Sequence, residues 1–179
     1  LLSDRAFGGA DTIATSSQIA EAIKKIGDYD IIFAGRQAID GDTAQVGPQI
    51  ARRLGLPCVT YVQKIREIGD SYAVVERQLE DGYEVLKVQL PCLLTAVKEL
   101  NTPRYMTVAG IMNAYKADIT VWSHDDLHMD PSRCGLSASP TQVLRSFTPP
   151  PKGKGEMATG SVRQMTETLV DRLYEKHLI

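Results

Sequence analysis

The segment Gly35-Arg36-Gln37-Ala38-Ile39-Asp40-Gly41-Asp42-Thr43-Ala44-Gln45-Val46-Gly47 gathers the residue types best suited to holding a charged ligand. Thr43, Gln45 and the backbone N–H groups can donate to phosphate oxygens, and Arg36 brings a positive charge. Asp40 and Asp42 are awkward beside a diphosphate, so they are expected to face a ribose, a helix end or solvent. The spacing is neither G-x-G-x-x-G nor the Walker lysine loop, so no general dinucleotide motif supports the assignment. The competing reading is structural, with Asp42 as the N-cap of the following helix, a role worth about 1 kcal/mol.

Other groupings carry less. His124 and His128 stand four apart among Asp125, Asp126 and Asp130, but the Glu of the zinc-protease pattern is missing, and a polar cluster before a proline reads as a solvated loop. Ser137 or Ser139 could be combined with these histidines into a hydrolase triad on paper, yet no strand–turn–helix nucleophile elbow surrounds them. No catalytic residue and no metal site are assigned. Cys58, Cys92 and Cys134 are far apart and odd in number, which argues against a disulfide framework and reads as buried reduced thiols.

The elements around the loop must place it at the carboxyl end of a strand in the sheet. Ile19, Ile23 and Ile26 recur at helical spacing before Gly27, predicting a helix from about Ser16 to Ile26. Tyr29 to Ala34 is a short apolar run suited to a strand buried on both faces of a parallel sheet. A helix over Thr43 to Leu54 and an apolar Pro57 to Thr60 follow, and Pro48 is expected to kink that helix near its start. This alternation predicts an α/β domain with a parallel sheet, whose strand ends are where such sheets bind ligands. Val62–Ile68, Tyr72–Leu79 and Tyr83–Leu90, broken at Gly69-Asp70 and Asp81-Gly82, predict an antiparallel hairpin extension. Pro91 to Val97 is a further apolar stretch, Val108 to Ala114 a short helix, and Thr120 to Ser123 a last strand.

Beyond Asp130 the composition turns to Ser, Pro, Gly and Lys, and Thr148-Pro149-Pro150-Pro151 permits neither helix nor central strand. Val162, Met165, Leu169, Val170, Leu173 and Tyr174 then form one apolar stripe of a terminal helix. The division expected is a partial α/β nucleotide-binding domain over residues 1–130 and an arm with its helix over 131–179. The chain is 43% hydrophobic and 23% charged with a formal net charge of −2, which gives no case for nucleic acid or an anionic membrane. No apolar run approaches the ~20 residues of a membrane span, and a cytoplasmic location is the default expectation. The opening Leu1-Leu2-Ser3-Asp4-Arg5, without an initiator Met, reads as the end of a strand belonging to a longer chain.

Gln37 to Gly47, with Val75-Glu76-Arg77-Gln78-Leu79-Glu80-Asp81-Gly82, Leu90-Pro91 and Glu99 to Tyr105, closely resembles the electron-transfer flavoprotein β subunits. The resemblance runs from about Ser3 to Leu127. It implies a Rossmann-like, adenine nucleotide hydrolase-like fold, with the cofactor held along Gly35 to Val46. That cofactor is AMP in the simple carriers and FAD in the electron-bifurcating members. Ser3 to Thr12 with Ala14-Thr15-Ser16 is similar to the bifurcating group, which favours FAD. The resemblance further implies a heterodimer with the α subunit, wrapped by the C-terminal arm, and exchange of electrons with NADH, ferredoxin or other flavin partners. It implies docking of an acyl-CoA dehydrogenase on Val108, Ile111 and Met112, whose competing reading is a core face. The protein would be a carrier subunit, not an enzyme by itself. The alternatives are an adenine-nucleotide sensor or hydrolase without a redox role, and a structural partner with no nucleotide.

Overall fold

The computed structural model describes residues 1–179, which divide into two compact units, Leu1–Gln142 and Val143–Ile179. The first unit is built on a five-stranded mixed sheet. Its strands are β1 (Ile31–Gly35), β2 (Cys58–Ile68), β3 (Tyr72–Leu79), β4 (Gly82–Gln89) and β5 (Cys92–Ala96), in the order β1-β5-β2-β3-β4. The helices α1 (Thr12–Ile26) and α2 (Val46–Leu54) pack on one face of the parallel part. β5 lies between β1 and β2, parallel to both, with Ile31 opposite Cys92 and Cys58 opposite Leu93. The α/β domain with an antiparallel extension is thus as expected.

β2 joins the two parts of the sheet. The predicted Pro57–Thr60 and Val62–Ile68 runs are one strand, which pairs in parallel with β5 up to Val62 and antiparallel with β3 from Val62 onward. The change of partner is made at Tyr61, which takes φ 57. There its N–H donates to the hydroxyl of buried Thr95 at 3.1 Å, so a backbone group that leaves the ladder still finds an acceptor. The β4 alternation is as read, with Val88 buried, Leu86 and Leu90 half-buried, and Lys87 and Gln89 exposed.

Leu93 and Leu94 are consecutive in β5 and both fully buried, and they face opposite sides of the sheet. Leu93 meets Ile50 and Ala51 of α2, with Ile19 and Ile23 of α1 at the margin. Leu94 joins Val59, Val62, Ala73, Val75, Val88 and Cys92.

Several expectations are corrected. α1 begins at Thr12, not Ser16, because the Asp11 carboxylate caps it by accepting from the Ala14 N–H at 2.9 Å. The buried residues of α1 are Ala14, Ser16, Gln18, Ala20 and Ala22, mostly small side chains that allow close helix packing, while Ile26 is exposed. β1 is an edge strand and not buried on both faces, since only β5 pairs with it and Phe33 is 54% exposed. α2 begins at Val46, not Thr43. Pro48 therefore falls in its first turn, where no intrahelical N–H bond exists to be lost, and it causes no kink. Thr120–Ser123 makes only one bridge, Trp122 with Leu2, and is not a strand. Cys58 is exposed, while Cys92 and Cys134 are buried. No helix is long and apolar enough to cross a membrane.

In the second unit α4 (Val162–Glu175) is closed at its start by a capping box between Ser161 and Gln164. Leu169 and Tyr174 on its apolar stripe are exposed, and no residue of the helix is fully buried.

Candidate functional site

The chain leaves the carboxyl end of β1 at Gly35 and runs through an irregular loop to the N-terminus of α2 at Val46. Asp42 and Ala44 both take left-handed backbone, φ 50 and φ 53, an arrangement uncommon outside glycine that folds the loop back on itself. Two side-chain contacts hold the turn. Gln37 Nε2 donates to the Asp42 carboxylate, and the Gly41 N–H donates to Asp40 Oδ1 at 2.9 Å. Asp42 is therefore not the N-cap of α2. That position is Gln45, whose side chain makes no capping bond, so the first N–H groups of α2 stay free for an outside acceptor.

Gln45 instead reaches across to α1. Its Oε1 accepts from the Thr12 hydroxyl at 2.9 Å. This bond ties the loop to the start of α1, and between them lies an open cleft of about 860 Å³, within the ~300–1,000 Å³ of small-molecule sites. Its polar wall is the loop from Gly35 to Gly47, and its apolar floor includes Ile19, Ile23, Ile32 and Ile50. Of the expected ligand residues, all of Gly35 to Val46 except Ile39 and Asp42 line the cleft. Ile39 is 99% exposed, and Asp42 is turned onto Gln37.

The close seat of α2 depends on Gly47. A Cβ there would stand 2.7 Å from Thr95 Cγ2 and 3.4 Å from Ala34 Cβ. The glycine lets the helix N-terminus lie directly against the ends of β1 and β5. Arg36, at the mouth of the loop, places its guanidinium 5.8 Å from the ring centre of Tyr61, a cation–π distance.

Ala10, Asp11, Thr12 and Thr15 also line the cleft, and none of them was read as a ligand residue. The signal that could have found them is Asp11 as an N-cap, which moves the start of α1 forward and aims that helix N-terminus, too, at the cleft.

The remaining candidates lie elsewhere. Val108, Ile111 and Met112 are on α3 (Val108–Ala114), which is exposed along its whole length, so they are not a core face of this chain. The histidine cluster lies in a turn with Asp125, Asp126 and His128 exposed, as expected, but the His124 ring is half-buried, its Nδ1 2.7 Å from Asp4 Oδ2. No three His, Cys, Asp or Glu side chains converge as a metal site. Ser139 is a structural hydroxyl that donates to the Gly135 carbonyl and accepts from the Asp11 N–H, each at 2.8 Å.

Comparison with known proteins gives a consistent picture. The profile of the family described as "Electron transfer flavoprotein domain" matches residues 1–127. The chain is 64% identical, over its full length and 68% of the relative's, to "Caffeyl-CoA reductase-Etf complex subunit CarD" of Acetobacterium woodii. It is 53% identical, with the same coverage, to "Electron transfer flavoprotein subunit beta" of Clostridium acetobutylicum. It is 43% identical to "Protein FixA" of Bradyrhizobium diazoefficiens, over 97% of this chain and 63% of that one.

Proposed function

This chain belongs to the electron-transfer flavoprotein β-subunit family, and from that membership we propose that it holds FAD in the cleft above β1 and carries electrons as a heterodimer with an α subunit. The observation that supports the reading is the loop itself. It combines free helix-terminal N–H groups, an arginine and an apolar floor at the carboxyl end of a parallel strand, where open α/β sheets take nucleotides. The donor set fits a diphosphate. Thr43, Gln45 and the first N–H groups of α2 would hold it, while Asp40 and Asp42, engaged with Gly41 and Gln37, need not oppose its charge. Bound there, the flavin supplies the redox chemistry, and the chain supplies binding, orientation and exclusion of water. Ile19, Ile23 and Ile32 present the apolar surface for a ring system.

FAD is preferred to AMP because the segment Ser3–Thr12, similar to the bifurcating group, ends on the cleft wall at Ala10, Asp11 and Thr12. The relative with the CarD name is by that name a subunit of a caffeyl-CoA reductase–Etf complex, which supports a multi-subunit setting; NADH and ferredoxin are the exchange partners proposed. The test is the nucleotide content of the heterodimer after denaturation. Two flavins and no AMP per heterodimer are expected. One flavin with one AMP would make it a simple carrier, and no nucleotide attributable to this chain would overturn the assignment of the loop.

α3 is the proposed docking point for an acyl-CoA dehydrogenase, with Val108, 77% exposed, as its apolar anchor. A Val108→Arg chain should lose affinity for the dehydrogenase by about tenfold or more, as replacement of an interface anchor does. Its melting temperature should stay unchanged, because the side chain buries nothing within the chain. Unaltered affinity in a binding titration would remove Val108 from the interface.

A further inference from the structure

The wall of the cleft that carries Ala10, Asp11 and Thr12 is held from behind by a segment far away in sequence. Asp4 caps the short helical turn Arg5–Phe7 by accepting from the Ala6 N–H at 2.8 Å. The same carboxylate accepts from the His124 N–H at 3.2 Å and meets His124 Nδ1 at 2.7 Å. Further along, Leu136 donates its N–H to the Gly8 carbonyl at 2.9 Å. Gly135 packs so tightly that a Cβ would come within 2.2 Å of the Ala6 carbonyl oxygen. Ser139 then takes the Asp11 N–H, and the Asp11 carboxylate accepts from the Thr141 N–H at 3.1 Å. Asp4, Ala6, Gly8 and Asp11 are thus each held from the segment His124–Thr141, and the one contact in that grip between two ionisable side chains is His124 with Asp4.

We propose that His124 is a proton-linked positioning residue for the nucleotide cleft: as imidazolium it fastens Asp4 and the Arg5–Asp11 segment in place, and on losing its proton it loosens the wall and weakens nucleotide binding. The inference rests on the nucleotide reading of the cleft. The other ionisable groups around the pair are Asp125, whose Oδ1 is 3.3 Å from His124 Nε2, Cys134, whose thiol lies in the field of Asp4, and Lys25, Asp126 and His128 nearby. Both carboxylates that touch the ring favour its charged form. The hydrogen bond to Asp4 holds the histidine above its ordinary value, and the same bond lowers Asp4 to about 2. The sign follows. A histidine raised in the folded state contributes fully below its unfolded value of ~6.5, and the contribution is lost as pH rises through the folded value. Asp4 stays ionised until far lower pH, so of the two partners His124 is the one that titrates in the physiological window.

The experiment uses the chain in complex with its partner subunit, as wild type, His124→Gln, Asp4→Asn and the double variant. FAD and AMP are titrated between about pH 5.5 and 8.5, and amide protection of Phe7–Asp11, expressed relative to the intrinsic base-catalysed exchange rate at each pH, is followed at the same values. In the wild type, nucleotide affinity and the corrected amide protection should both fall as pH rises through the His124 value. Each single variant should be flat with pH at the weak-binding, poorly protected level once the intrinsic rate is divided out, and the double variant should add nothing further. Retention of the wild-type pH profile by His124→Gln overturns the proposal. So does pH-dependent protection with constant nucleotide affinity, which makes the pair a structural latch alone. Absence of nucleotide at every pH, with protection still pH-dependent, overturns the reading of the cleft and with it the link to binding.

Discussion

Replacing Gly47 with valine will both destabilise the fold and weaken the cleft. The first added carbon already stands 2.7 Å from Thr95 Cγ2, so the branched side chain cannot be taken up without moving α2 off the sheet. Overpacking of this kind costs about 1–3 kcal/mol, which for a chain of this size is a fall of roughly 3–10 °C in melting temperature. The shift also carries the N-terminus of α2 away from the loop, so nucleotide affinity should fall by about tenfold or more, as sub-ångström to 1 Å misplacements of binding groups do. A second variant separates packing from mere loss of flexibility. In Gly47→Ala the clash is with the Thr95 methyl alone at that range, and Thr95→Ser removes the methyl while keeping the hydroxyl that accepts from Tyr61. The pair Gly47→Ala/Thr95→Ser should therefore be more stable than the sum of its singles. Thermal unfolding and nucleotide titration decide the matter, and a Gly47→Val protein with unchanged stability would sink the account of why the helix sits where it does.

Leu93→Ala carries the second large effect. The side chain is fully buried between β5 and α2, among Ile50 and Ala51. Both elements belong to the framework that sets the cleft, so the cavity left behind cannot be closed by a surface loop. Such truncations cost about 2–5 kcal/mol, a large share of the 5–15 kcal/mol that separates a folded domain from its unfolded ensemble. Denaturant unfolding should show a lower midpoint with an unchanged slope. Val85, on edge strand β4 and 46% exposed, provides the contrast: Val85→Ala should stay within roughly 1 kcal/mol of wild type. Equal losses at the two positions would contradict the placement of the core.

The elements legible in the sequence are those set by contacts close along the chain. Asp81-Gly82 between β-rich runs announced the β3–β4 hairpin, whose register runs without a break from Tyr72 opposite Gln89 to Leu79 opposite Gly82. The glycine-bounded loop after an apolar run announced a strand end next to a helix start, and the structure makes it one wall of the cleft. The periodic stripe from Val162 to Tyr174 announced α4. Less was legible where the local signal was split between two demands. The isoleucine spacing of α1 marks only the helix from about Ser16, four residues after its start at Thr12. Its real beginning is set by the Asp11 cap, while Ile19 and Ile23 serve the cleft more than the core.

Residue types and short-range pattern determined the α/β class, the hairpin extension, the terminal helix and the segment Gly35–Gly47, because periodicity, turn chemistry and helix-breaking residues act over a few positions of chain. Tertiary structure alone decided the opposite wall of the cleft, the Thr12–Gln45 bridge and the pairing of Asp4 with His124, partners 120 positions apart. It also decided that β2 changes partner at Tyr61 and that β1 is an edge. The physical reason is common to all of these. Each depends on which surfaces meet once loop-closure entropy has been overcome, and neither propensity nor spacing carries information about a contact whose partner lies at the far end of the chain.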